Sequence, residues 1–153
     1  MNSECLDDWR PEGSVSVWRY TKSSRHRSSG LYIRADTPAV RSLVGLTRCL
    51  AEGASGARTI HLCEPAREAL AIPGFASDYE WFRGLKVRYE KQDVGIVFAV
   101  VRESLVLTIG HAGLLTLGGA LERYDRGDRD FAMPCEVRGA GKYDRALWFR
   151  AAT

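Results

Sequence analysis

The sequence predicts an α+β fold: an antiparallel sheet of about eight strands, two main helices packed on one face, and two ββαββ pseudo-repeats. Three observations carry this prediction. Short runs alternate apolar and polar residues, as in Val15–Tyr20 and residues 105–109, which is the period of a half-buried strand. Two longer stretches repeat apolar residues at helical spacing: Val40, Leu43, Val44, Leu46 and Leu50, then Leu114, Leu115, Leu117, Ala120 and Leu121. Glycines fall at corresponding places in the two halves, with Gly53 and Gly127 at the ends of the helical stretches.

Residues 1–13 read as a polar lead-in before a single domain over 14–153. Val15–Tyr20 and Leu31–Ala35 form a hairpin closed by the Ser-rich basic loop 21–30. Asp36-Thr37-Pro38 is a helix start, with a capping oxygen followed by a proline in the first turn. The helix stops at Glu52-Gly53. Residues 59–63 (TIHLC) read as a strand. A short helical piece, the Pro73-Gly74 turn and an aromatic segment with Phe75, Tyr79, Trp81 and Phe82 follow. Residues 85–89 close the first half as a strand.

In the second half, residues 94–101 and 105–109 are strands, and Gly110-His111-Ala112-Gly113 opens the second helix, which ends near Gly127. Residues 131–135 read as a strand, 137–144 as a loop and 146–150 as the last strand. The halves, 14–91 and 92–153, can be laid on each other: Leu31 and Ile33 on Leu105 and Leu107, Gly45 on Gly119, Gly53 on Gly127, Cys63-Glu64 on Cys135-Glu136.

Composition narrows the class. The 153 residues are 45% hydrophobic and 27% charged, ordinary for one globular domain. The net charge of +3 is mildly basic and argues only weakly for anionic partners. Of the 22 basic residues only Lys22, Lys86, Lys91 and Lys142 are lysines, and Asn2 and Gln92 are the only side-chain amides, a bias that fits a GC-rich genome. The N-terminus lacks a signal-peptide pattern, and no apolar run approaches the ~18–20 residues of a membrane span. The four cysteines form no CxxC pair. These features predict a cytoplasmic protein with reduced, mostly buried thiols and no membrane contact.

The order of strand, glycine, Leu-x-x-Leu, helix, glycine, strand and acidic residue is carried by LVLTIGHAGLLTLGGALERYDRGDRDFAMPCE in the second half. In the first half it is carried by LYIRADTPAVRSLVGLTRCLAEGASGARTIHLCEP. Both resemble the small immunity proteins of bacterial polymorphic toxin systems, the immunity protein 32 type. The resemblance implies a non-catalytic protein that binds and blocks a toxin domain, with no cofactor and no catalytic residues. In that family the strand after the helix reads His-x-His-Leu or similar. Here one half has Ile60-His61-Leu62 and the other has Phe131-Ala132-Met133, which departs from it. The chain is also not acidic, as inhibitors of nucleases often are, which argues against a nuclease target.

Three constellations carry the candidate sites. Trp18, Tyr20, Arg25, Arg27, Tyr79 and Trp81 are of the residue types that dominate protein interfaces, and form the partner-binding candidate. His61 and Cys63 share one strand face and, with Cys135 on the matching strand, offer an alternative pocket for a small enzyme or ligand binder. Lys22, Arg25, His26 and Arg27 offer a short basic loop for nucleic acid, the less favoured partner. No metal site is expected, and no stretch names a reaction. His111 and the glycines before the second helix read as turn chemistry, and Asp125, Asp128 and Asp130 with Arg126 and Arg129 as a self-neutralising loop.

Overall fold

The computed structural model describes residues 3–20, 30–70, 79–128, 130–138 and 145–150. In chain order the elements are α1 (Ser3–Asp8), β1 (Val15–Tyr20), β2 (Leu31–Ala35), α2 (Thr37–Ala51), β3 (Ser55–His61), a 3₁₀ turn at Arg67–Leu70, and β4 (Tyr79–Trp81). They continue as β5 (Gly84–Glu90), β6 (Ile96–Val101), β7 (Ser104–Ile109), α3 (His111–Asp125), β8 (Phe131–Pro134), β9 (Glu136–Arg138) and β10 (Ala146–Phe149).

The mixed α+β class holds, but the strands form two sheets of five, not one sheet of about eight. The first sheet runs β4-β1-β2-β10-β8 and the second β3-β5-β7-β6-β9. Nor are they purely antiparallel: β2 with β10, β5 with β7, and β6 with β9 are parallel pairs. The reason is long-range. Each hairpin stays together, but after each helix two strands cross to the other sheet, while β4 and β9 stay with the hairpin of their own half. β3 and β5 join the β6–β7 hairpin, while β8 and β10 join the β1–β2 hairpin. The series β1-β2-β10-β8 and β6-β7-β5-β3 therefore pair in the same order: antiparallel, parallel, antiparallel. The flanks differ, since β4 lies antiparallel on β1 and β9 parallel on β6.

Both sheets turn one apolar face to α2 and α3, which lie against each other. Val17, Ile33 and Leu147 from the first sheet and Leu85, Phe98 and Leu107 from the second surround one apolar cavity of about 40 Å³ with Leu43, Leu46 and Leu117. Val40, Leu43 and Leu114 are buried, and Leu117 packs half-buried against them. The helical spacing read from the sequence thus marks the inner face, except at Leu115, which is exposed. Each fully buried side chain of this kind contributes about 1.5–3 kcal/mol.

Asp36 caps α2 as its position promised. One carboxylate oxygen accepts from the Ala39 N–H (3.0 Å) and the other from the Ser14 N–H (3.0 Å). Gly110 takes the same place before α3 without a side-chain cap. Any Cβ there would overlap the Asp93 carbonyl, so close backbone approach fixes this glycine.

Three further expectations are corrected. The lead-in is not featureless: residues 3–8 form α1, which lies against α2. The thiols are not all reduced, because Cys5 and Cys49 are disulfide-bonded across 44 residues. A link closing a loop of that length stabilises by about 3–5 kcal/mol on the chain-entropy argument. Cys63 is exposed rather than buried. At the edge of the second sheet, β9 is a strand where a loop was expected, because it pairs with β6. Among the described residues no helix is long and apolar enough to cross a membrane.

Candidate functional site

The face of the first sheet turned away from the helices is aromatic. Side chains alternate along a strand, so β1 sends Val15 and Val17 inward and Trp18 and Tyr20 outward. Register then aligns one cross-strand row. Trp81 on β4 stands opposite Trp18 on β1, Trp18 opposite Tyr32 on β2, and Tyr32 opposite Trp148 on β10. The row ends on the small, exposed Ala132 of β8. A second row places Tyr20 opposite Tyr79.

The rings are in mutual contact. Trp18 and Tyr32 stack at 5.9 Å, Tyr32 and Trp148 at 6.3 Å, and Tyr20 meets Tyr32 edge-on at 5.1 Å. The Arg83 guanidinium lies 4.6 Å over the Trp81 ring, where the π face attracts it. Leu70 of the 3₁₀ turn packs into the same cluster. Trp18 is fully enclosed, whereas Tyr20, Tyr79, Trp81 and Trp148 are half-buried. Burial raises the Tyr20 pKa, an effect that Trp18 and the Arg150 charge partly offset.

Of the partner-binding candidates, the structure brings Trp18, Tyr20, Tyr79 and Trp81 onto one face. Arg25 and Arg27 lie outside the described residues, as do Lys22, His26 and Phe75. Sequence reading missed Tyr32 and Trp148. Their signal was present, since both alternate with core residues in strands already recognised. What was missing was the β2–β10 pairing that sets them side by side.

The alternative pocket residues are not brought together. His61 ends β3 opposite Gly84 in the second sheet and lines a groove of about 140 Å³ with Pro11, Glu12 and Ser42; neither cysteine is among its walls. The Cys63 N–H donates to the Val15 carbonyl, at the start of β1, while the Cys135 N–H donates to the Arg145 carbonyl, just before β10. Those points are opposite ends of the first sheet: Val15 pairs with Ala35 and Leu147 with Leu31, so about six strand rises of ~3.3 Å separate them. Among the described residues no group of three or more His, Cys, Asp and Glu could hold a metal ion.

His111 sits at the start of α3 with its Nδ1 3.2 Å from the Tyr89 hydroxyl. The acidic residues near 125–130 find partners beyond their own segment. Asp125 faces Arg41 of α2, Asp128 pairs with Arg123 at 2.6 Å, and Asp130 pairs with Arg150 at 3.2 Å. Set against known proteins, the chain matches no family model, no curated sequence and no solved structure.

Proposed function

We propose that the chain is a non-catalytic protein-binding module, an immunity-like inhibitor that blocks a bacterial toxin domain by covering it. One observation carries the reading: a row of Trp, Trp, Tyr and Trp in a single register on the outer face of the first sheet, with an arginine on its end ring. Large rigid rings and arginine are the residue types that give interfaces most of their energy. Trp18 and Tyr32 are buried within this second cluster, so the rings left to meet a partner are the half-buried Tyr20, Tyr79, Trp81 and Trp148.

The same reading treats 14–91 and 92–153 as two repeated units, supported by the identical pairing order of four strands in each sheet. It also keeps the chain in the cytoplasm.

The test is co-expression with the toxin domain encoded beside this chain's gene. The wild-type chain is expected to copurify with that domain and protect the cells. Trp148→Ala and Trp81→Ala should each weaken binding at least tenfold, on the scale of interface anchors, with melting temperatures showing that the fold survives. Leu115→Ala, on α3, should bind as wild type. A toxin that stays free, or binding indifferent to both tryptophans, ends the proposal.

A further inference from the structure

We propose that the Cys5–Cys49 disulfide is a redox-controlled clasp on α1, and that its reduction releases residues 3–12 from the body of the fold as a hinged strap. The strap begins in a helix of six residues, too short to hold helical form alone. Contact with the body holds it. The Trp9 indole N–H donates to the Ser42 carbonyl at 2.7 Å, and the Glu12 N–H to the Ser42 hydroxyl at 3.2 Å. Arg58 on β3 donates to the Leu6 carbonyl at 2.9 Å and meets the Asp7 carboxylate at 3.3 Å. Beside these partly exposed polar contacts, Leu6 and Trp9 pack half-buried against the core. The disulfide is the one covalent link among them.

The seat is shaped for the strap. Gly45 of α2 faces the Trp9 ring, which a Cβ there would meet at an ordinary contact distance of 3.9 Å. Gly56 of β3 leaves room for Leu6, since a Cβ there would come within 2.8 Å of Leu6 Cδ2. The strap also has a defined end. Gly13 takes φ +68°, which favours glycine, and the next residue, Ser14, is pinned by its N–H to Asp36. Beyond that point the chain enters β1 and the core. The inner face of α2 packs through Leu43, Leu46 and Leu50 without help from the sulfurs, so the body keeps its packing when the clasp opens.

The bond is reachable. Cys5 and Cys49 are half-buried, and Cys49 lines a cavity of about 190 Å³ between α1, the end of α2 and β3. The reductant is a dithiol. Its thiolate attacks one sulfur, the S–S bond breaks and a mixed disulfide forms, which the second thiol of the reductant then resolves. Two electrons and two protons pass to the protein, leaving Cys5 and Cys49 as thiols and the reductant as a disulfide. In the cytoplasmic setting proposed above such bonds are transient and redox-responsive. Release itself is a property of this chain alone and does not depend on the toxin reading.

The test is hydrogen exchange, read by mass spectrometry, on the full chain purified without reductant, on the same chain after dithiothreitol, and on Cys5→Ser. Amides of residues 3–12 are expected to exchange at least tenfold faster in the second and third samples, while those of β5 and β7 remain the slowest to exchange. Iodoacetamide in denaturant should modify two cysteines before reduction and four after. Four modified before reduction would show that the bond does not form. Unchanged exchange over 3–12 would show that the strap stays without it. Loss of protection throughout would make the bond a staple of the whole fold. Each of these results overturns the proposal.

Discussion

Single side chains do more here than fill space. The Tyr124 hydroxyl on α3 donates to the Arg150 carbonyl and accepts from the Ala35 N–H, so one oxygen ties a helix to the ends of β2 and β10. Tyr124→Phe keeps the ring and strands both backbone groups, which should cost about 1–3 kcal/mol in a urea titration. An unchanged midpoint would show that water replaces the hydroxyl. Tyr89 is fully enclosed, and burial raises its pKa above the ordinary tyrosine value of about 10. The folded state therefore holds the phenolic proton more tightly than the unfolded chain. That stability is fully present below pH ~10 and is lost as pH rises through the folded value. Denaturation midpoints should be flat in this respect from pH 7 to 9 and fall beyond about 10, with a shallower fall for Tyr89→Phe.

At the scale of elements, what the sequence revealed depended on whether local spacing decided the outcome. α2 was legible at both ends because Asp36, Pro38 and the apolar stripe act within a few residues. α3 was legible in place but not in width. Leu114 and Leu115 are adjacent, yet the first is 1% exposed and the second 60%, because only one faces the sheets. Leu114→Ala should cost about 2–5 kcal/mol and Leu115→Ala less than about 0.5, compared by thermal unfolding; equal costs would mean that α3 is rotated from the position described. The remainder was not local. α1 is polar in sequence and becomes a helix against α2, where Cys5 meets Cys49. Four cysteines admit three pairings, and their spacing favours none. β4 is three residues long, too short to announce itself except by lying on β1. The aromatic face was half legible for the same reason: its rings were visible, the neighbours that align them were not.

At the scale of the whole molecule the governing fact is the crossing of strands between sheets. Neither half owns a sheet, because each hairpin is extended by strands from the other half. Residues 14–91 or 92–153 expressed alone should thus give no cooperative unfolding transition, whereas the two pieces expressed together should reassemble a folded complex by size-exclusion chromatography and circular dichroism. A half that folds as a monomer would contradict the crossing. The aromatic row also has an optical meaning. Of the four tryptophans, Trp18, Trp81 and Trp148 stand on the outer face of the first sheet and Trp9 on the strap. The second sheet has none. Indole emission will therefore register events at those two places and stay dark to any loosening confined to β3, β5, β6, β7 and β9, for which an infrared or exchange probe is the proper instrument.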